Sequence, residues 1–133
     1  MRNRAIRDTN EETYVLMKVR KAQMKTDVVV SIIHLPCIFV IATLKQTEIL
    51  CNSAIKESPE VLALSFTNVT HLDSTAIGFL VKLLNNSLSR NIKLVLFDMN
   101  PGIREMFDIV KLGKFFSIFT KEQFEATFKY CIQ

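Results

Sequence analysis

Val61-Leu62-Ala63-Leu64-Ser65-Phe66, together with the segment Ile77 to Leu88 that follows it, decides the fold of this chain. The first run has almost no polar alternation, the pattern of a strand buried on both faces of a sheet. The second places Ile77, Leu80, Val81, Leu84 and Leu88 at steps of three and four, with Lys82, Asn85, Asn86 and Ser89 on the other side. That is an amphipathic helix lying on a sheet. A doubly buried strand leading into such a helix is the repeating unit of a parallel α/β structure.

The same unit recurs on either side. Downstream, Ile92 to Phe97 is a second largely apolar strand, and Asn100-Pro101-Gly102 supplies an N-cap and a proline at the first helical position. Ile103, Met106, Phe107 and Val110 form the expected buried stripe of that helix, and Gly113 is placed to end it. Phe115 to Phe119 returns as a strand, and Lys121 to Tyr130 offers a last helix through Phe124 and Phe128. Upstream, Asp27 to Ile33 and Cys37 to Ala42 read as strands joined at Leu35-Pro36. A helix follows from about Lys45 to Glu57 through Ile49, Leu50, Ala54 and Ile55, stopped by Ser58-Pro59. The order β-β-α-β-α-β-α-β-α requires right-handed crossovers and a largely parallel sheet, an α/β fold.

Composition agrees with this and excludes several classes. At 133 residues there is room for one core, and 49% hydrophobic with 23% charged residues is the make-up of a folded chain. Three Gly, three Pro and no Trp leave too little turn chemistry for an all-β sandwich. The formal charge of +4 sits in the leading segment: residues 1 to 25 hold seven basic and three acidic residues, and the remainder holds ten of each. A neutral body without a basic stripe argues against nucleic-acid binding. Residues 1 to 26 are expected to be an arm or short helix ahead of a domain spanning 27 to 133, and no apolar stretch there reads as a secretory signal. Cys37, Cys51 and Cys131 are widely spaced and form no C-x-x-C pair, so no disulfide framework or zinc site is expected, and a reducing cytoplasm is the default. Val28 to Leu44 carries no formal charge over seventeen residues, but Ser31, His34, Pro36 and its β-branched content favour strands over a membrane span.

Enzyme signatures are missing. The sequence has no phosphate-cradling glycine loop, and His34 and His71 lack ligand-spaced companions, so neither a cofactor nor a metal is expected. A phosphoryl receiver would need an acidic cluster after its first strand, where His34-Leu35-Pro36-Cys37 offers none. The distinctive segment is Thr70-His71-Leu72-Asp73-Ser74-Thr75-Ala76-Ile77-Gly78, which lies where a buried strand has ended and a helix begins, the edge at which open α/β sheets meet ligands and partners. Asp73, Ser74 and Thr75 are all competent N-caps. A phosphate on Ser74 would sit among unpaired N–H groups at the positive end of the helix and act on the surface without refolding it. Gly78 is expected to let the helix approach the sheet closely.

The run ALSFTNVTHLDSTAIGFLVKLL resembles the signature of STAS domains (sulphate transporter and anti-sigma factor antagonist), in which a strand leads into a D-S-[ST]-G-[LI]-G turn, here Asp73-Ser74-Thr75-Ala76-Ile77-Gly78. Lys93 to Leu96 and Asn100-Pro101-Gly102-Ile103-Arg104-Glu105-Met106-Phe107 are similar to that family's next strand and helix, and the likeness extends over residues 27 to about 130. Ala76 stands where a glycine is common in the family. The resemblance implies a central, mostly parallel mixed sheet with helices packed mainly on one face. It also implies an anti-sigma factor antagonist, not an enzyme. Such a protein binds an anti-sigma factor serine kinase when unphosphorylated, is switched off by phosphorylation at Ser74, and is reset by a serine phosphatase. The partner-binding residues it implies are Asp73, Ser74, Thr75, Ala76 and Ile77. An alternative use of the same domain is a phosphate-independent adaptor subunit of a membrane transporter or signalling scaffold, touching a membrane only through its partner.

Overall fold

A computed structural model of the chain describes residues 2–9, 12–20 and 27–128, with side chains from residue 28. In chain order the elements are β1 (Arg2–Thr9), β2 (Glu12–Arg20), β3 (Asp27–His34), β4 (Ile38–Phe39), a 3₁₀ turn (Ile41–Thr43) and α1 (Leu44–Lys56). Then come β5 (Val61–Ser65), β6 (His71–Leu72), α2 (Ser74–Ser89), β7 (Lys93–Phe97), α3 (Pro101–Ile109), β8 (Ser117–Phe119) and α4 (Lys121–Thr127). The main sheet has the order β1-β2-β3-β5-β7-β8, and β4 pairs with β6 in a separate two-stranded ladder. Strands β3, β5, β7 and β8 are parallel, while β1 and β2 add antiparallel at one edge. The expected α/β class with a mostly parallel mixed sheet is therefore found.

All five residues of β5 are buried, as its unalternating sequence requires. One sheet face presents Ile33, Leu62, Leu64, Leu94 and Leu96 to Leu50 and Ala54 of α1, Leu80 and Leu83 of α2, and Ile103 and Phe107 of α3. The other face presents Val30, Ile32, Ala63, Val95 and Phe97 to Phe124 and Phe128 at the α4 end. Among the described residues three helices thus cover one face and α4 covers the other.

Several expectations are corrected. Residues 1 to 26 do not hold a short helix or separate arm over their described parts: β1 and β2 lie in the sheet, and β2 pairs with β3 from Tyr14↔Ile33 to Arg20↔Asp27. The reason is that β3 would otherwise be a bare edge with unpaired N–H and C=O groups. The strand expected over Cys37 to Ala42 shrinks to Ile38–Phe39. Proline at 36 cannot continue a ladder, and the Thr43 hydroxyl captures the Val40 N–H at 3.1 Å to start the 3₁₀ turn. His71, beyond the end of β5, forms a two-residue strand with Leu72 and pairs with Ile38.

The helix termini differ too. Gly113 does not end α3; Lys111 takes the left-handed position with φ 63°, and Leu112 N–H donates to the Phe107 carbonyl at 2.9 Å. Asn91 does the same after α2 with φ 59°. Ile49, Leu88 and Val110, assigned to buried stripes, are exposed. For Leu88 the cause is its face: the buried stripe of α2 runs through Ala76, Leu80, Leu83 and Ser87, and Leu88 stands about 100° round the helix from Ser87. Tyr130 and Cys131 lie outside the described residues.

Candidate functional site

The carboxyl ends of β5 and β7 are tied together by Phe66 N–H donating to the Phe97 carbonyl at 2.9 Å. Beyond them the chain turns at Val69, and Thr70 N–H donates to the Cys37 carbonyl, also at 2.9 Å. This places β6 against β4, with Ile38 opposite His71 and Phe39 opposite Leu72. Leu72 is buried, and Asp73 follows it in extended conformation as the N-cap of α2.

Asp73 uses both carboxylate oxygens. Oδ1 accepts from Ala76 N–H at 2.9 Å, the capping bond, while Oδ2 accepts from Ile41 N–H at 3.0 Å. These donors, Ile41 first and then Ala76, hold the Asp73 carboxyl below the usual carboxylate range. The cap is therefore Asp73, and the hydroxyls of Ser74 and Thr75 are left on exposed residues in the first turn of the helix.

Of the five residues implied as partner-binding, the structure brings Asp73, Ser74 and Thr75 to the surface edge. Ala76 is fully buried and packs into the core beside Leu80. It faces the sheet because it stands four residues before Leu80 on the inward stripe, so its part in the site is its backbone N–H. Ile77 is half-buried. Gly78 is exposed, and a Cβ added there would meet nothing within 4 Å, so the expected close approach to the sheet is not its role.

Two residues that the sequence reading missed complete the face: Ile38 and Ile41, 41% and 67% exposed. Their signal was the uncharged run 28–44, which is longer than a buried strand needs. Asp73 is the sole formal charge between residues 66 and 81, so the face carries one engaged carboxylate, with the polar Thr70, His71, Ser74 and Thr75 exposed beside the apolar Ile38 and Ile41. A groove of about 670 Å³ lined by Leu35, Pro36, Cys37, Ile38, Thr43 and Asn68 runs beside it.

His34 is half-buried at the end of β3, where burial lowers its pKa, and His71 is exposed with Nδ1 2.9 Å from the Thr70 hydroxyl. Asp98, just after β7, accepts from the Thr67 hydroxyl at 2.7 Å. Among the described residues no three His, Cys, Asp or Glu side chains gather as a metal site would need, and no helix is long and apolar enough to cross a membrane.

A mixed sheet with three helices on one face and an exposed Asp-Ser-Thr turn opening the long helix is the architecture of a STAS-type domain. The STAS domain family model matches residues 20–125, and the chain belongs to that family. Among solved structures it is similar to the Bacillus cell fate determinant SpoIIAA in its phosphorylated form, with TM-score 0.58 and 16% identity, covering 85% of this chain and 96% of that one. It is similar also to an anti-sigma-factor antagonist (STAS) domain protein from Planctomyces limnophilus, with TM-score 0.59 and 15% identity, covering 87% and 97%. At these identities the likeness is one of fold. No curated protein matches the sequence.

Proposed function

We propose that this chain is an anti-sigma factor antagonist that binds an anti-sigma factor kinase through the face around Ser74 and releases it once Ser74 is phosphorylated. In this reading the chain is a substrate and not an enzyme. It works in the cytoplasm, is reset by a serine phosphatase, and meets neither nucleic acid nor membrane except through a partner. The observation that carries the reading is the place of Ser74: the first residue of α2, exposed, directly after the capping Asp73, in a chain of the STAS family. A phosphate there faces the positive end of a 16-residue helix. It adds about 1.5 to 2 negative charges beside Asp73. A partner surface matched to this nearly uncharged face would then meet concentrated negative charge.

The test is peptide mass spectrometry on the protein purified from its native cells under two growth conditions, paired with co-purification by Ser74→Ala and Ser74→Asp. Phosphate at Ser74 that varies with condition, and a kinase retained by Ser74→Ala but lost by Ser74→Asp, is the expected outcome. Consistent absence of phosphate with full coverage of that peptide sinks the reading in favour of a phosphate-independent adaptor.

A further inference from the structure

Ile38 and Ile41 are large apolar side chains in solvent, yet their backbone is firmly placed. β4 holds Ile38 opposite His71, and the 3₁₀ turn after it is closed by Thr43 N–H donating to the Val40 carbonyl at 2.9 Å and by Val40 N–H donating to the Thr43 hydroxyl at 3.1 Å. Phe39, buried and edge-on to Phe79 of α2 with ring centroids 6.4 Å apart, holds β4 to the helix, and the hydrogen bond from the turn itself to the helix cap is that from Ile41 N–H to Asp73 Oδ2. Asp73 therefore touches two things at once: the first turn of the helix that carries Ser74, and the turn that displays Ile41.

We infer that Asp73 is a clasp coupling the charge state of Ser74 to the position of the apolar Ile41 beside it, while Ile38 stays fixed in the β4–β6 ladder, so that phosphorylation withdraws contact surface as well as adding charge. The inference rests on the reading of Ser74 as a phosphoacceptor and goes beyond it by assigning how the switch acts. A phosphate on Ser74 is a neighbour of the Asp73 carboxylate along the chain and repels it as a like charge. Its oxygens also compete for the N–H groups of the first helical turn, where Oδ1 now accepts from Ala76. Either effect turns the carboxylate away and leaves Ile41 N–H without its acceptor. The turn keeps its internal Val40 and Thr43 bonds, and β4 keeps its hold on β6 and Phe79, but Ile41 loses its bond to the helix cap. Ile41 then no longer stands at a fixed distance from residue 74, and a partner that reads both together loses the match. Asp73 acts here as a positioning residue.

The experiment uses the full chain, ¹⁵N-labelled, in three forms: unmodified, with phosphoserine installed at position 74 during translation, and as Asp73→Asn. Amide exchange is read at Ile41, Ala76, Val40 and Thr43. Asn caps helices about as well as Asp, so Asp73→Asn keeps the Ala76 bond while replacing one acceptor oxygen with a donor. The expected result is exchange at Ile41 faster by about tenfold or more in both altered forms, with Val40 and Thr43 unchanged. Equal protection of Ile41 in the unmodified and phosphoserine forms overturns the clasp, as does unchanged protection in Asp73→Asn. Loss of protection at Val40 and Thr43 along with Ile41 overturns it too, since the turn would then be melting rather than untethering. Absence of phosphate on Ser74 in cells would sink the functional reading alone, because the installed phosphoserine still reports on the clasp. A phosphoserine form that loses the kinase but keeps Ile41 protected would sink the clasp alone.

Discussion

Asp73 Oδ2 stands 3.0 Å from the amide nitrogen of Ile41, a residue 32 positions earlier in the chain. The carboxylate thereby ties a 3₁₀ turn to the helix it caps. Because its pKa is depressed in the folded chain, the unfolded state binds more protons as pH falls. The stability it contributes is complete above the unfolded carboxyl value of about 3.9 and is lost as pH falls through the lower folded value. Urea midpoints measured across this acid range should show a steeper decline in the unmodified chain than in Asp73→Asn.

Ser74→Ala should leave stability within about 0.5 kcal/mol of the unmodified chain. The hydroxyl would matter to the helix only if it were the cap, and Asp73 fills that role through Ala76 N–H. Urea unfolding of the variant checks this, and a larger loss would show that Ser74 is structural.

Gly78→Ala should stabilise the protein by about 0.5 to 1 kcal/mol. Gly78 lies inside α2 on an exposed position with no heavy atom within 4 Å of an added Cβ, so alanine removes backbone entropy without a clash. A rise in thermal midpoint is the readout, and a fall would mean that the helix packs against something at this point.

Phe124→Ala should cost about 3 to 5 kcal/mol. Phe124 is fully buried and stacks on Phe97 with ring centroids 3.9 Å apart and planes 3° apart. It also contacts Phe128 at 5.1 Å, so its removal strips the main anchor of α4 on the second face. Equilibrium unfolding in urea gives the value, with the near-ultraviolet circular dichroism reporting loss of ring packing.

Much of this fold is written in local pattern. The doubly buried β5, the three- and four-residue steps of α2, and the Asn100-Pro101 start of α3 are properties of short segments, and periodicity with capping chemistry reports them directly. The position of Ser74 at a helix start was legible for the same reason. Which of Asp73, Ser74 and Thr75 makes the cap was not, since all three are chemically able to and only the backbone geometry at Asp73 selects one.

The sequence by itself determined the α/β class, the chain order of its main helices and parallel strands, and the exposed turn that holds the candidate phosphoacceptor, because each is dictated by the burial needs of a few neighbouring residues. Tertiary structure alone decided that β1 and β2 complete the edge beside β3, that two residues of a broken strand find β6, and that Asp73 reaches across to Ile41. Those outcomes depend on unsatisfied edges and N–H groups brought together from distant positions, and a partner that distance supplies leaves no periodic trace in either segment.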